Sequence, residues 1–524
     1  MGSRALRLTG IVFLGTVAGK IMGFLREMLI AAQYGASSNT DAYLVAFTLP
    51  TLISAGLGAA LTTVAVTLFA DKSQIDNQIK ARTFSSLNNI VFAFGTVVVL
   101  LCIIITPYLI RLLAPGFQGE ELITATSLAR IMVPMAVFLL LAGLYSGVLN
   151  AEGNFTIPAL RSIVYNLCII FCVVIASPKF GIEALAFGTL LGGISQALVQ
   201  VPALFKKGYR FRFITRPGSE VSTALRLLLP ILVGIAVSQV NQIIDRMFAS
   251  TLTEGSISAL SFGYRVFDLP AGLFISSMLT VAYPTLTQKA IQDPKEFTNA
   301  MNRSLSLISF VATPLAIAMI TLREPLVRVI FMRGVFEESA VQATSIALAY
   351  YAAGFLALAV NDMLKRGFWA NKDTKTPVII SAVAVLFNVF FNAVLIGPMG
   401  HGGLALGTSL AMILTTIALG GIACRKGYFS WADLRTSLYK TIIAGGVMTA
   451  GMMLTLWVID SLLPLRSVGF LLNMLALMAT SAIGLGLYYG ITRSMKLEEV
   501  QYFHDNFLDP LKMRVGQLIH KKAD

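Results

Sequence analysis

Charged residues are scarce in this chain, at 13% of 524, and that shortage decides its solvent. A soluble globular domain carries about 25%. With 56% hydrophobic residues and a mean hydropathy of +0.78, the surface cannot be covered with water-facing groups, so lipid must take the place of water. Cysteine is limited to Cys102, Cys168, Cys172 and Cys424, all inside apolar blocks, where they read as small packing residues rather than disulfide or metal ligands. Cys168 and Cys172 lie one helical turn apart with no nearby His or Asp to complete a metal site, and His401, His504 and His520 form no constellation. The chain also lacks a P-loop, a nucleophile elbow, an HExxH motif and any extramembrane segment long enough for a catalytic domain. These absences argue against an enzyme, a cofactor and a nucleotide drive. A transporter with this sequence would run on a substrate gradient, a monovalent ion gradient or the membrane potential.

What is present is a series of apolar blocks of about 19 to 25 residues, such as Asn89–Leu113, Ile131–Leu149 and Val468–Tyr489. About 20 such residues cross a bilayer as a helix. Hydropathy and breaker residues predict fourteen spans, at 8–33, 42–70, 86–113, 127–150, 157–176, 183–204, 224–250, 258–287, 303–323, 342–368, 377–397, 402–424, 438–460 and 466–491. The first block holds Lys20, Arg26 and Glu27 and outruns a signal-peptide core, so it is expected to stay attached. Basic residues concentrate in the even-numbered loops: Lys80 and Arg82; Lys206, Lys207, Arg210, Arg212, Arg216 and Arg226 against Glu220; Lys289 and Lys295; Lys365, Arg366, Lys372 and Lys375; Arg425, Lys426, Arg435 and Lys440. Odd-numbered loops are neutral or acidic apart from the mixed stretch at 323–338. Both termini are therefore expected in the cytoplasm. The net charge of +14 is then topological bias plus a basic tail, not a nucleic-acid surface.

The most informative pattern is a repeat at an offset of 219 to 220 residues. Arg26 pairs with Arg246, Gly35 with Gly255, Ser38 with Ser258 and Leu49-Pro50 with Leu269-Pro270; later, Pro158 pairs with Pro377 and Lys207-Gly208-Tyr209 with Lys426-Gly427-Tyr428. Each unit holds six spans, an even number, so both cross in the same sense as a parallel repeat. The predicted architecture is an all-α polytopic membrane protein with an N-lobe at 1–210, a C-lobe at 211–430, two appended spans at 431–495 and a basic tail at 496–524.

Ionisable side chains in spans cost about 2.5–3.5 kcal/mol each at mid-bilayer, so they normally face a watery cavity or a partner. Here they gather in the opening helices of each repeat: Lys20, Arg26 and Glu27 in span one, Asp245 and Arg246 in span seven, Arg265 and Asp268 in span eight. A cavity lined by Lys20, Arg26 and Arg265, with Arg246 as a further candidate, suits a phosphate or pyrophosphate. Glu27, Asp41, Asp245 and Asp268 are the candidates for gating or ion coupling. Simpler roles stand beside these: a salt bridge for Arg26, snorkelling for Lys20, neutralisation of Arg246 by Asp245, and capping of span two by Asp41. Pro50 and Pro270 break a helical hydrogen-bond ladder and act either as hinges or as plain kinks.

The runs from Gly23 to Pro50 (GFLRE through TDAYLVAFTLP), Ala114–Phe117 (APGF), Tyr264–Phe274 (YRVFDLPAGLF) and Lys372–Val378 (KDTKTPV) resemble the MurJ (MviN) family of lipid II flippases, in the superfamily of multidrug, oligosaccharidyl-lipid and polysaccharide exporters. The resemblance covers nearly the whole chain. It implies a protein of the bacterial cytoplasmic membrane that carries an undecaprenyl-pyrophosphate-linked muropeptide to the outer leaflet by alternating access. Its partners would be that glycolipid and the surrounding lipids, with cell-wall synthesis enzymes as further candidates, and the protein is expected to be a monomer. The family's cavity arginines fall on Arg26 and Arg265, its acidic residue at the start of span two on Asp41, and its first-helix arginine on Lys20. An arginine pair often found just after the span-two proline is Ser54-Ala55 here, and Asp245-Arg246 is a charged pair that better-known members lack. Spans thirteen and fourteen would admit the lipid tail. Other readings are a flippase for a different undecaprenyl-linked polysaccharide unit, a small-molecule exporter, or a non-transporting envelope scaffold.

Overall fold

The structure, a computed structural model, describes residues 2–70, 77–214, 239–462 and 469–503. His504, His520, Arg216, Glu220, Arg226, the first part of span seven and most of the basic tail lie outside them. The described residues fold as helices joined by short turns, the arrangement lipid demands because helices satisfy their own backbone polar groups. Among them, eleven helices are long and apolar enough to cross a membrane, or twelve with the bent pair Glu338–Ala353 and Phe355–Ala370 taken as one. The helix Gly2–Tyr34 and the helix at 239–249 stand where spans one and seven are expected. Thirteen of the fourteen predicted spans thus have a helix at their place, and the described end of span seven is helical.

Several helices outrun their apolar blocks. Span three runs over Asn77–Leu113 and span thirteen over Trp431–Leu462. Hydropathy marks only the lipid-facing stretch, whereas helical hydrogen bonding continues into polar ends. For the same reason Lys80, Arg82, Lys289, Lys365, Arg366, Arg425 and Lys440, assigned to loops from sequence, belong to helix ends. Cys172 is buried, but Cys424 is exposed and is not a packing residue.

Two compact units divide the chain. One holds the described residues up to Phe262 together with Phe331–Val341, and the other holds Gly263–Ile330 and the described residues from Gln342 onward. Within each, the same corners recur at the repeat offset. Gly181 (φ 55°) and Gly400 (φ 55°) open spans six and twelve with near-identical ψ of −139° and −134°, a conformation open to glycine alone. At the end of span four Asn154 N donates to Leu149 O (2.8 Å); at the end of span ten Asp373 N donates to Phe368 O (3.0 Å). The residue between is Gly153 at φ 74° in the first and Lys372 at φ 60° in the second, so the left-handed corner persists even where glycine does not.

In the second unit the appended spans pack on span nine. Phe310, Ala444, Met448, Met452 and Tyr488 form a buried cluster, and the Tyr488 hydroxyl donates to Phe310 O at 2.8 Å. The chain after span fourteen turns back, adding Leu497 and Val500 to this cluster, while Ser437 Oγ donates to Glu499 at 2.7 Å.

Candidate functional site

Span one is held against span five by small residues. Gly15, Gly19 and Gly23, spaced one helical turn apart, face Ala159, Ser162 and Asn166; a Cβ at Gly19 would lie 3.1 Å from Ser162 Oγ. Such a stripe lets two helices approach closely. The approach sets the position of Arg26, one turn beyond Gly23. Its Nη2 donates to Glu27 Oε1 at 2.5 Å, its Nη1 to Asn166 Oδ1 at 3.1 Å, and its guanidinium lies 5.6 Å from the Tyr165 ring centroid. Asn166 is fixed in turn by donating to Ser162 O (2.8 Å) and Gly19 O (3.3 Å). The Nε of Arg26 is buried and has no hydrogen-bond partner among the described residues. The salt bridge anticipated for Arg26 therefore exists, with Glu27, yet one edge of the guanidinium still has a donor to offer. Lys20 lies exposed on the same helix.

Asp41 does not cap span two. That helix, Ser38–Phe69, is capped by Ser37, whose Oγ accepts from Thr40 N at 3.4 Å. The Asp41 carboxylate is buried and accepts instead from Gly255 N (2.8 Å), Ser258 N (2.7 Å) and Ser258 Oγ (2.6 Å). It thereby caps the opening turn of the helix Ser256–Pro270, more than 200 residues away in sequence. Charge-assisted acceptance of two backbone N–H groups and a hydroxyl makes this one of the stronger polar contacts available to a buried carboxylate. On the helix at 239–249, Asp245 and Arg246 are half-buried and both engaged in interactions, with Asn241 Nδ2 donating to Asp245 at 3.2 Å.

In the second unit Arg265 is half-buried and Asp268 exposed. Both act electrostatically on the hydroxyl of Tyr264, as does Asp362, and the Tyr264 ring packs edge-on against Tyr351 at 5.4 Å. Asp362 is a charged residue that sequence reasoning passed over. On the same helix, Phe355–Ala370, Lys365 pairs with Asp362 at 3.4 Å, and Arg366 lies over both Tyr283 (5.4 Å) and Trp369 (4.9 Å). Three charges within five residues at the end of an apolar block were the available signal, and it was read only as topology. The two prolines also differ. Pro50 is buried in a helix that continues unbroken to Phe69, whereas Pro270 leads into a π-helical stretch, Ala271–Ile275, before the helix resumes at Ser276.

At the loop that follows, Asp373 accepts from Thr376 N (3.0 Å), Thr376 Oγ1 (2.7 Å) and Lys426 Nζ (2.5 Å). The Lys426 ammonium pulls its carboxyl down to about 2. Among the described residues no group of three or more His, Cys, Asp or Glu side chains is placed to hold a metal ion. The polar geometry around Arg26 is that of charge recognition: a guanidinium with one spare donor, set beside a tyrosine ring and an amide.

The chain is similar in sequence and fold to known proteins. The family model described as lipid II flippase MurJ matches residues 30–476. A probable lipid II flippase MurJ from Vibrio cholerae is 28% identical over 511 residues, covering 93% of this chain and 95% of the relative. The lipid II flippase MurJ of Burkholderia cenocepacia is 27% identical over 452 residues, covering 84% and 87%. Among solved structures, a lipid II flippase MurJ in an inward closed conformation superposes with a TM-score of 0.75 at 26% identity, covering 91% of this chain and 98% of that one. A multidrug-resistance MATE transporter of the MOP superfamily, at 16% identity and a TM-score of 0.65, shares the fold.

Proposed function

Because this chain belongs to the MurJ family of lipid II flippases, we propose that it carries lipid II, an undecaprenyl-pyrophosphate-linked muropeptide, from the inner to the outer leaflet of a bacterial cytoplasmic membrane. It is a multi-pass membrane transporter. The observation that carries the substrate class is the half-buried guanidinium of Arg26, whose Nε donor has no partner among the described residues. A phosphoryl oxygen is the natural acceptor for such a donor. Lys20 and Arg26 of the first unit and Arg265 of the second are the residues assigned to the pyrophosphate, with Arg246 in support. Glu27 holds Arg26 in orientation rather than gating it. Asp41 acts as a latch on the helix Ser256–Pro270 and is released when that side opens, and Pro50 and Pro270 supply the hinges of alternating access. Asp245 and Asp268 are the acids assigned to coupling with an ion gradient or the membrane potential. Both termini face the cytoplasm, and spans thirteen and fourteen take the prenyl chain.

One observation favours a second reading. Ser54, where an arginine is common in the resembling family, is buried and returns its hydroxyl to Pro50 O at 2.6 Å, so this position offers nothing to a ligand. A related undecaprenyl-linked glycan would fit a cavity with one contact fewer.

The test is translocation of lipid II in cells depleted of their own flippase, comparing the protein with Arg26→Glu and Arg265→Glu at matched membrane levels. Loss of a charged hydrogen bond, about 1.5–3 kcal/mol, predicts a drop of about 10-fold or more for each variant. A wild-type protein that inserts but leaves lipid II in the inner leaflet would hand the assignment to the other lipid-linked glycan.

A further inference from the structure

A second arginine of the first unit has no part in the site above. Arg161 lies in the helix Thr156–Ile175, four residues before Tyr165, so the two side chains stack along one face. Tyr165 is the ring beneath Arg26. The face of this helix that carries the ring beneath Arg26 therefore carries Arg161 as well, its Cα about one turn, roughly 6 Å, from that of Tyr165.

Arg161 Nη1 donates to Ser146 Oγ at 3.1 Å. Behind that hydroxyl is a fixed neutral network. Ser146 Oγ lies 3.0 Å from Gln200 Oε1 and 2.8 Å from Ala142 O, and the fully buried Gln200 amide donates to Ala142 O (3.1 Å) and Gln196 O (2.9 Å). Among the described residues Arg161 has no carboxylate within ion-pair distance, whereas Arg26 has Glu27 and Arg328 has Glu324. Arg161 is half-buried, so part of its side chain stays accessible. A cation needed only for packing would be stabilised most simply by an acid. Holding it by a serine fixes its direction and leaves its full charge for something that arrives. A snorkelling arginine would extend along the helix surface, not turn inward to a serine backed by a buried glutamine.

We propose that Arg161 is a further anion contact of the first unit, binding a phosphoryl oxygen of the substrate's pyrophosphate on the face of the helix that also carries Tyr165, with Ser146 as its positioning residue. The source of the phosphoryl group rests on the transport reading given above; the geometry of the contact does not. The repeat supplies no second copy, since the equivalent position is Ile380. The contact is a feature of the first half alone.

The test uses the full chain in detergent, with geranylgeranyl pyrophosphate as probe and geranylgeraniol as its uncharged control, read by microscale thermophoresis. Arg161→Gln is expected to raise the Kd for the pyrophosphate about tenfold and Arg161→Lys about threefold, with the alcohol unaffected. Ser146→Ala, which leaves the charge but not its orientation, is expected to cost about threefold, and it decides the matter if Arg161→Gln does not fold. Unchanged pyrophosphate binding in Arg161→Gln beside weakened binding in Arg26→Gln overturns the proposal and leaves the transport reading intact. A wild type that does not prefer the pyrophosphate to the alcohol overturns both. A third arm places wild type and Arg161→Gln in phosphatidylglycerol nanodiscs. If native mass spectrometry shows the lipid retained only by wild type while pyrophosphate binding is unaltered, the phosphoryl partner is a lipid headgroup and the substrate assignment falls.

Discussion

The two repeats solve the same packing problem with opposite chemistry. In the first, span four meets span two through Gly143 and Gly147: a Cβ at either would come within 2.5 Å of the carbonyl oxygen of Gly58 or Thr62, and Thr62 Oγ1 donates to Gly143 O at 2.9 Å. At the repeat offset the second half has Asp362 and Arg366 in those places, and Lys365 in place of Ser146. Those places carry full side chains, and Arg366 sits against Tyr283 of span eight and Trp369 of its own helix. Span eight also carries the π-helical stretch after its proline, where span two stays α-helical. A glycine seam makes a rigid pair; a charged, aromatic-lined seam with a π-bulge makes a pair whose helices can change register, and π-bulges are frequent at functional sites. The first half thus reads as the stiffer partner and the second as the one that bends.

The sharpest way to break this contrast is to fill the seam. Gly143→Leu must push span four off a carbonyl that cannot yield, and overpacking of this kind costs about 3 kcal/mol. The variant is expected to be depleted from membranes and to melt early, while Arg366→Leu stays folded and loses about 1–2 kcal/mol of cation–π attraction. Equal behaviour of the two variants in a thermal melt would erase the distinction.

Comparable in size is the contact of Asp41 with the opening turn of the helix Ser256–Pro270. Asp41→Ala leaves Gly255 N and Ser258 N without their acceptor, at about 1–3 kcal/mol per buried group. Labelling of a cysteine placed at Thr253 is expected to accelerate, and an unchanged labelling rate would remove Asp41 from any gating role.

The prolines should separate as well. Pro270→Ala restores a backbone donor next to the π-helical stretch and is expected to slow translocation severalfold at matched protein levels, whereas Pro50→Ala, within an unbroken helix, is expected to alter it less than twofold. The opposite order would move the flexible point into the first half.

The smallest effect is a pH dependence. The Asp373 carboxyl titrates at about 2, below its ordinary 3.8, because Lys426 donates to it. Its ionised form is favoured in the fold, so the contribution is complete above about pH 4 and disappears as the pH falls through about 2. The pair is at the surface, so the loss should be modest, and Asp373→Asn should flatten this part of the acid-stability curve.

Much of this architecture was legible from the residues. The fourteen spans are strong hydropathy signals, and the 219-residue offset reappears in the backbone at Gly181 and Gly400 and at Gly208 and Gly427 because turn chemistry is local. What escaped were directions. Asp41 looks like a cap for its own helix, and only tertiary packing sends it to a helix more than 200 residues on. Arg161 and Asp362 register as charges near the ends of apolar blocks, and hydropathy does not say which side of a helix faces inward. Asn166 carries no charge at all, so nothing in the pattern marked it as the residue that holds Arg26.

A ribosome feeding this chain into a translocon releases its halves on different terms. Span four, with glycines at its seam, can partition into lipid on apolar content alone. Span ten emerges with Asp362, Lys365 and Arg366 upon it, each costing up to about 2.5–3.5 kcal/mol against lipid at full depth and less near an end. The pairing of Lys365 with Asp362 and the rings of Tyr283 and Trp369 offset that cost. Tyr283 reaches the membrane with an earlier helix, so span ten is stable in the bilayer only after span eight is there to receive it. The order of synthesis, Tyr283 before Arg366, is the order that biogenesis requires.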